Sequence, residues 1–237
     1  MTASPKTAKR FYTAAAAAAR DDGSFGVELD GRPIKTPASH ALALPSQALA
    51  DAIAAEWNAQ TEEIVPATLV LMRLANSAID GVAGRAGEVV QDILSYAASD
   101  LLCYRAESPA GLVAKQSLAW DPILAWVRAE YDAPFETGTG VRHLDQPAAS
   151  IDAIRRVIAP MGPFHLAALH VMTTLTGSAL IALAHAKGFL DADAAWKAAH
   201  VDETWQASQW GEDFEAAQRQ KKRLSEFLNA SRFFELA

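Results

Sequence analysis

Tyr12-Thr-Ala-Ala-Ala-Ala-Ala-Ala-Arg20 can be read in two ways, and the choice decides the fold. Alanine has the highest intrinsic helix propensity, so composition alone predicts a helix. The residues that follow argue for a strand. Asp21-Asp22-Gly23 is a turn signal. Beyond it Val27-Glu28-Leu29 alternates apolar and polar positions and runs into Asp30-Gly31, a strong hairpin signal. Taken with its neighbours, the alanine run is the first arm of a hairpin. Ala41-Leu-Ala-Leu-Pro45 is a further short extended piece.

From Ser46 the pattern turns helical. Ser46 is a good N-cap after Pro45, and Leu49, Ile53 and Trp57 recur every four residues. Pro66 opens a second helix with Leu69, Met72, Leu74 and Ile79 as its apolar set. Further helices are expected over 87–98, 111–131, 150–159, 163–187, 192–210 and 212–229. Pro109, Pro122, Pro134, Pro147, Pro160 and Pro163 punctuate them. The expected fold class is α+β: a small β-containing N-terminal domain over 1–85, then a larger all-α helical domain over 86–237.

Composition narrows the function. Of 237 residues, 51% are hydrophobic and 21% charged, as in a globular chain. The net charge of −7 argues against nucleic-acid binding, which needs a concentrated basic surface. The basic run Arg219-Gln-Lys-Lys-Arg223 reads as a solvated helix face. The single cysteine, Cys103, sits in apolar sequence and reads as a buried structural thiol. The N-terminal Met1–Arg20 only faintly mimics a signal peptide, because its alanines include no Leu, Ile or Val. Phe164–Ala186 is uncharged and long enough to span a bilayer, but it holds His165, His170, His185 and a polar centre. It reads as the central helix of a bundle, apolar on all sides, and no membrane insertion is expected.

Signals of chemistry are sparse. There is no dinucleotide or phosphate loop and no nucleophile elbow. Ser178 reads as a packing residue. His165 and His170 are five apart, the wrong spacing for a helical metal pair, and the six histidines read as core or rim residues. Asp191-Ala-Asp193 reads as a helix start. No cofactor or metal is expected.

The acids between Val201 and Phe214 are the remaining candidates. If one helix runs through Gly211, Glu203 falls in the middle of an aromatic stripe with Trp196, Trp210 and Phe214, each within about 20° of it. Asp202, Gln206, Gln209 and Asp213 form a separate polar face, and Trp205 points almost opposite the stripe. A carboxylate on an apolar face needs a partner, with Arg73, Arg105, Arg142 and Arg155 as candidates. Three roles fit Glu203: a paired buried carboxylate, part of a recognition surface, or a catalytic group. The last would make the chain a small-molecule hydrolase using Glu203, or Glu212 with Asp213. Trp57, Trp126 and Trp210 are expected in the core, and Trp205 is the best candidate for an exposed anchor.

Several blocks occur together and in order: Lys9-Arg-Phe-Tyr12, Asp30-Gly-Arg-Pro-Ile-Lys-Thr-Pro37, Leu44-Pro-Ser46, Glu56-Trp-Asn-Ala-Gln60, Leu74-Ala-Asn-Ser-Ala-Ile-Asp80, Asp100-Leu-Leu-Cys-Tyr-Arg-Ala106, Trp120-Asp-Pro-Ile-Leu-Ala-Trp126 and Trp205-Gln-Ala-Ser-Gln-Trp-Gly-Glu-Asp213. Across nearly the whole chain they resemble the mitochondrial F1-ATPase assembly chaperone family that binds the F1 α subunit, with its α-proteobacterial counterparts. The segment from Pro66 to Leu74 departs from the family pattern and is given no role. The resemblance implies a non-enzymatic protein that holds the free α subunit and prevents its aggregation before it meets β. It also implies a strand for Tyr12–Arg20 and importance for Trp57 and Glu203. The expected partner-binding residues are therefore Glu203, Trp205, Gln206, Gln209, Asp213 and Trp57. The protein is expected to be a monomer of the bacterial cytoplasm, or of the mitochondrial matrix if it comes from an organelle.

Overall fold

The computed structural model describes residues 8–140, 142–211 and 213–237. The chain divides into two compact units. The first runs as far as Arg85 and adds Gly162–Ala167 and Arg232–Ala237; the second is Ala86–Met161 with Ala168–Ser231.

Five short strands belong to the first unit: β1 (Ala8–Lys9), β2 (Ala15–Ala19), β3 (Phe25–Leu29), β4 (Arg32–Pro33) and β5 (Glu63–Ile64). β2, β3 and β4 form an antiparallel sheet in that order, with Ala17 opposite Val27, and β1 pairs with β5. The alanine run is thus a strand. The turns on either side of β3 enforce it. Gly23 takes φ +80°, and the Arg20 N–H donates to the Ser24 carbonyl. Asp30 and Gly31 both have positive φ, as a tight hairpin turn needs. The Asp30 carboxylate accepts from the Thr13 and Ala14 N–H groups at 2.9 Å each, which holds its pKa below the usual range.

Helix α1 (Gln47–Asn58) starts at Ser46, whose hydroxyl accepts from the Leu49 N–H, and packs on β2 and β3. The small alanines of β2 let it approach. Leu49 and Ile53 are fully buried, as is Val27. The Asn58 amide then pairs both ways with the Ala15 backbone at 2.8 Å, satisfying part of the outer edge of β2. Ladder, turns and burial together outweigh a helix preference of a few tenths of a kcal/mol per alanine.

The Glu56-Trp-Asn-Ala-Gln60 block is a knot of staples. Glu56 accepts from the Leu71 and Met72 N–H groups at 2.7 and 3.0 Å, and so caps α2 (Val70–Asn76) from another helix. Gln60 bonds Val65 and Thr68. Tyr12 donates to the Trp57 carbonyl at 2.6 Å. The segment expected as one helix from Pro66 is instead a 3-10 turn (Pro66–Thr68), α2 and a π-helical turn (Ser77–Val82). That last turn carries Asp80, which accepts from Thr36, Ala38 and His40 and latches the loop after β4.

The second unit is mostly helical: α3 (Ala86–Ala98), α4 (Ala110–Tyr131), α5 (Ala148–Ile158), α6 (Pro163–Thr176), α7 (Ala179–Ala186), α8 (Ala192–Ala199), α9 (Val201–Trp210) and α10 (Phe214–Leu236), with α6 starting and α10 ending in the first unit's segments. A two-residue parallel pair, β6 (Tyr104–Arg105) with β7 (Gly138–Thr139), is its only sheet among the described residues. α3 packs on α5 and α7, and α4 on α7, α8 and α9. Trp120 is 1% exposed and donates from its indole to the Ala198 carbonyl at 2.7 Å.

Four expectations fail here for physical reasons. The central segment 163–187 is two helices, parted where Gly177 takes φ +68° and Ser178 caps α7 by accepting from Ile181. Ser178 is therefore a cap and not mere packing. The segment 192–210 breaks at His200, which leaves helical geometry at φ −123°, ψ 30°. Pro122 does not punctuate; it lies inside α4 on the exposed side, where its missing N–H and its ring are tolerated. Among the described residues no helix is long and apolar enough to cross a membrane.

Candidate functional site

α9 and the first half of α10 form a helical hairpin that buries little of itself. No residue of α9 is buried, and none of 214–226 is either. Asp202 and Trp205 hold α9 in place. Gln116, 2% exposed, donates to Asp202 at 2.7 Å while accepting from the Ala106 N–H at 2.8 Å. The Trp205 ring lies over Gly111 so closely that a Cβ there would sit 2.6 Å from its edge, and Lys115 Nζ stands 5.4 Å from the ring centre.

This geometry corrects the helical-wheel picture. The breaks at His200 and Gly211 (φ +89°) separate Trp196, Glu203 and Phe214 onto three helices. Trp196 is core, packed on Phe227. Trp210, expected in the core, is 79% exposed, and Phe214 is 75% exposed. Trp205, the expected free anchor, is half-buried against α4. Trp126 is half-buried and stacks on Phe189 at 5.0 Å. Glu203 is exposed, not buried, and among the described residues no arginine pairs with it. Two of its expected partners are engaged elsewhere, Arg105 with Asp121 at 2.8 Å and Arg155 with Asp152 at 3.6 Å.

Of the other expected contact residues, Gln206, Gln209 and Asp213 are exposed on the hairpin, and Asp213 accepts from the Glu215 N–H at the start of α10. Trp57 lies in the first unit, half-buried, edge-on to Tyr12 at 5.6 Å. Glu212 lies outside the described residues. Glu203 and Asp213 share one groove of about 370 Å³ between α9 and α10, walled by Ala207, Ala216 and Ala217. Both carboxylates are exposed there, the setting of a contact surface more than of a hydrolytic pocket.

Sequence reasoning missed three residues of this region. His200 passed as a core histidine, and it is 6% exposed, yet it lines the groove. Arg219 and Arg223 are exposed, as a solvated face requires, and their i,i+4 spacing also puts both along one groove. That spacing was the available signal.

The profile of the ATP12 chaperone protein family matches residues 9–128. Among solved structures, the Atu1473 protein of Agrobacterium tumefaciens is 45% identical, with a TM-score of 0.94 over 97% of this chain and 86% of that one. Atp12 from Paracoccus denitrificans is 39% identical, with a TM-score of 0.93 over 97% of this chain and 98% of the other. An Asp-to-Lys mutant of that Paracoccus protein matches at 38% identity and a TM-score of 0.93, over 97% of each chain. The family match and these likenesses define a chaperone of ATP synthase assembly. The chain belongs to the ATP12 chaperone family.

Proposed function

We propose that this chaperone holds the free α subunit of F1-ATPase until β is available, using the exposed face of α9 and the turn into α10. The observation that carries this reading is the exposure of Trp210 and Phe214, four residues apart across Gly211, on a hairpin with no buried residue. Large aromatics left in solvent at the turn between two helices form an anchor for a partner. Glu203, Gln206, Gln209 and Asp213 supply the polar rim that sets orientation. Trp205 contributes by fixing α9 on α4, and Trp57 by stiffening the first unit. Masking an assembly surface needs no reacting group, in keeping with a non-enzymatic role in the bacterial cytoplasm or the mitochondrial matrix.

Co-purification with isolated α and β subunits tests the reading. Capture of α without β is expected. Capture of neither, or of β alone, would overturn it.

A further inference from the structure

β2 lies at one edge of its sheet and pairs with β3 on one side only. The Asp30 N–H donates to the Ala14 carbonyl and the Arg20 N–H to the Ser24 carbonyl. In an antiparallel ladder bonded and non-bonded positions alternate, so Ala16 and Ala18 also turn their backbone groups toward β3. Ala15, Ala17 and Ala19 turn theirs outward. The Asn58 side chain closes the first of these, accepting from the Ala15 N–H and donating to its carbonyl at 2.8 Å each. Beyond it, the N–H and C=O of Ala17 and of Ala19 have no partner among the described residues. Ala17 is half-buried and Ala19 exposed.

Proteins blunt open sheet edges with proline, charge or extreme shortness, because a bare edge is a template for another strand. The opposite edge of this sheet is treated so. β4 has two residues, Arg32 and Pro33, and Pro33 has no N–H to offer; the chain beyond it is closed by the Lys35–Ala41 bridge. The other sheets among the described residues are pairs of two-residue strands. β2 has five residues, with no proline, no charge and no bulge in its register with β3. Among the described residues it is the one long edge left open.

The chemistry of the edge sets what can cover it. Outward N–H and C=O groups at strand spacing match only an extended backbone, since a helix has already spent its own. The side chains along β2 are all methyls, so packing bulk must come from the incoming strand. A second copy would bring alanine against alanine over an edge roughly 17 Å long. That contact falls far below the roughly 1,200 Å² that a stable specific interface buries. A protein already held by other contacts needs no more than a short strand here.

We propose that β2 receives an extended, proline-free segment of the held protein, rich in β-branched or aromatic side chains, as a further strand of the sheet. Its backbone bonds the N–H and C=O of Ala17 and of Ala19. The proposal deepens the functional reading above and rests on it.

The test uses the whole chain and the isolated α subunit, with amide hydrogen exchange read residue by residue. In the free chain the Ala17 and Ala19 amides should exchange fast, and in the complex at least about tenfold more slowly. Ala16 and Ala18, already bonded to β3, serve as the internal control. Ala19→Pro removes one outward N–H and no bond to β3, and should weaken capture about tenfold. Ala19→Val keeps that N–H and should capture α as the wild type does. Slow exchange at Ala17 and Ala19 in the free chain would mean that the edge is already covered, and would overturn the proposal. Capture of α with both amides still fast, or undiminished by a folded Ala19→Pro, would overturn it and leave the functional reading standing. If Ala19→Pro loses its fold, the exchange measurement on the wild type decides alone. Failure of the wild type to capture α at all overturns that reading, and the proposal falls with it.

Discussion

The Asp100 carboxylate lies 2.6 Å from Ser178 Oγ, 78 residues away in sequence, with neither side chain exposed to solvent. Asp100 also accepts from the Leu102 and Leu180 N–H groups at 3.1 Å each. One buried acid thus joins the loop after α3 to the start of α7, and so fixes the point at which the long apolar segment breaks. An acid at a helix N-terminus is favoured by the exposed N–H groups and the macrodipole.

Burial nevertheless outweighs those bonds and pushes the Asp100 pKa up to about 6 from 3.8. The folded protein then binds this proton more tightly than the unfolded chain. Stability from this group is full below about pH 3.8 and is lost as pH rises through about 6. Between pH 5 and pH 7 the wild type should lose about 1 kcal/mol relative to Asp100→Asn. Urea denaturation of both proteins at the two pH values measures this. Glu56, also raised chiefly by burial, is common to both and cancels. A pH-independent difference between the two proteins would show that Asp100 does not titrate in this range.

Gly111→Ala places a methyl where the Trp205 ring already sits. The ring or α9 must shift, at a cost of about 1–3 kcal/mol. Calorimetry should show a lower Tm. Capture of the α subunit should weaken as well, because α9 loses its seat on α4. An unchanged Tm would mean that the contact is loose.

Trp210→Ala and Phe214→Ala remove side chains that are mostly in water, so each should change stability by no more than about 0.5 kcal/mol. If these rings anchor the partner, each should cost about 1–2 kcal/mol or more in affinity for the α subunit, read by calorimetric titration. Full affinity in the double variant would move the binding face elsewhere.

Glu203→Lys separates a structural from a recognition role. The side chain is exposed and bonds no described neighbour, so the Tm should hold while α-subunit capture falls. Unfolding of this variant would restore the structural role for Glu203.

Glu56→Ala removes an N-cap that comes from outside the helix it caps. The first turn of α2 loses two acceptors, and a loss of about 1–2 kcal/mol is expected in urea denaturation. Glu56→Gln, which keeps one acceptor oxygen, should recover part of it.

What the sequence determined by itself was local. Asp21-Asp22-Gly23 signalled its turn because only a few residues accept the positive φ that Gly23 takes, and that turn folded the alanine run back along β3 against its own propensity. Ser46 signalled a helix start because its hydroxyl needs only the N–H three residues on. The ordered blocks from Asp30-Gly-Arg-Pro to Trp205-Gln-Ala-Ser identified the family before any coordinate did. The tertiary structure decided what depends on distant groups. The break at Ser178 needs Asp100, and the kink at His200 sets α8 and α9 apart. Those breaks undid the wheel that had put Glu203 among aromatics, left Glu203 in solvent and Trp205 against Gly111, and exposed Trp210. A periodicity argument assumes one straight helix, and a helix is broken by partners that no local pattern contains.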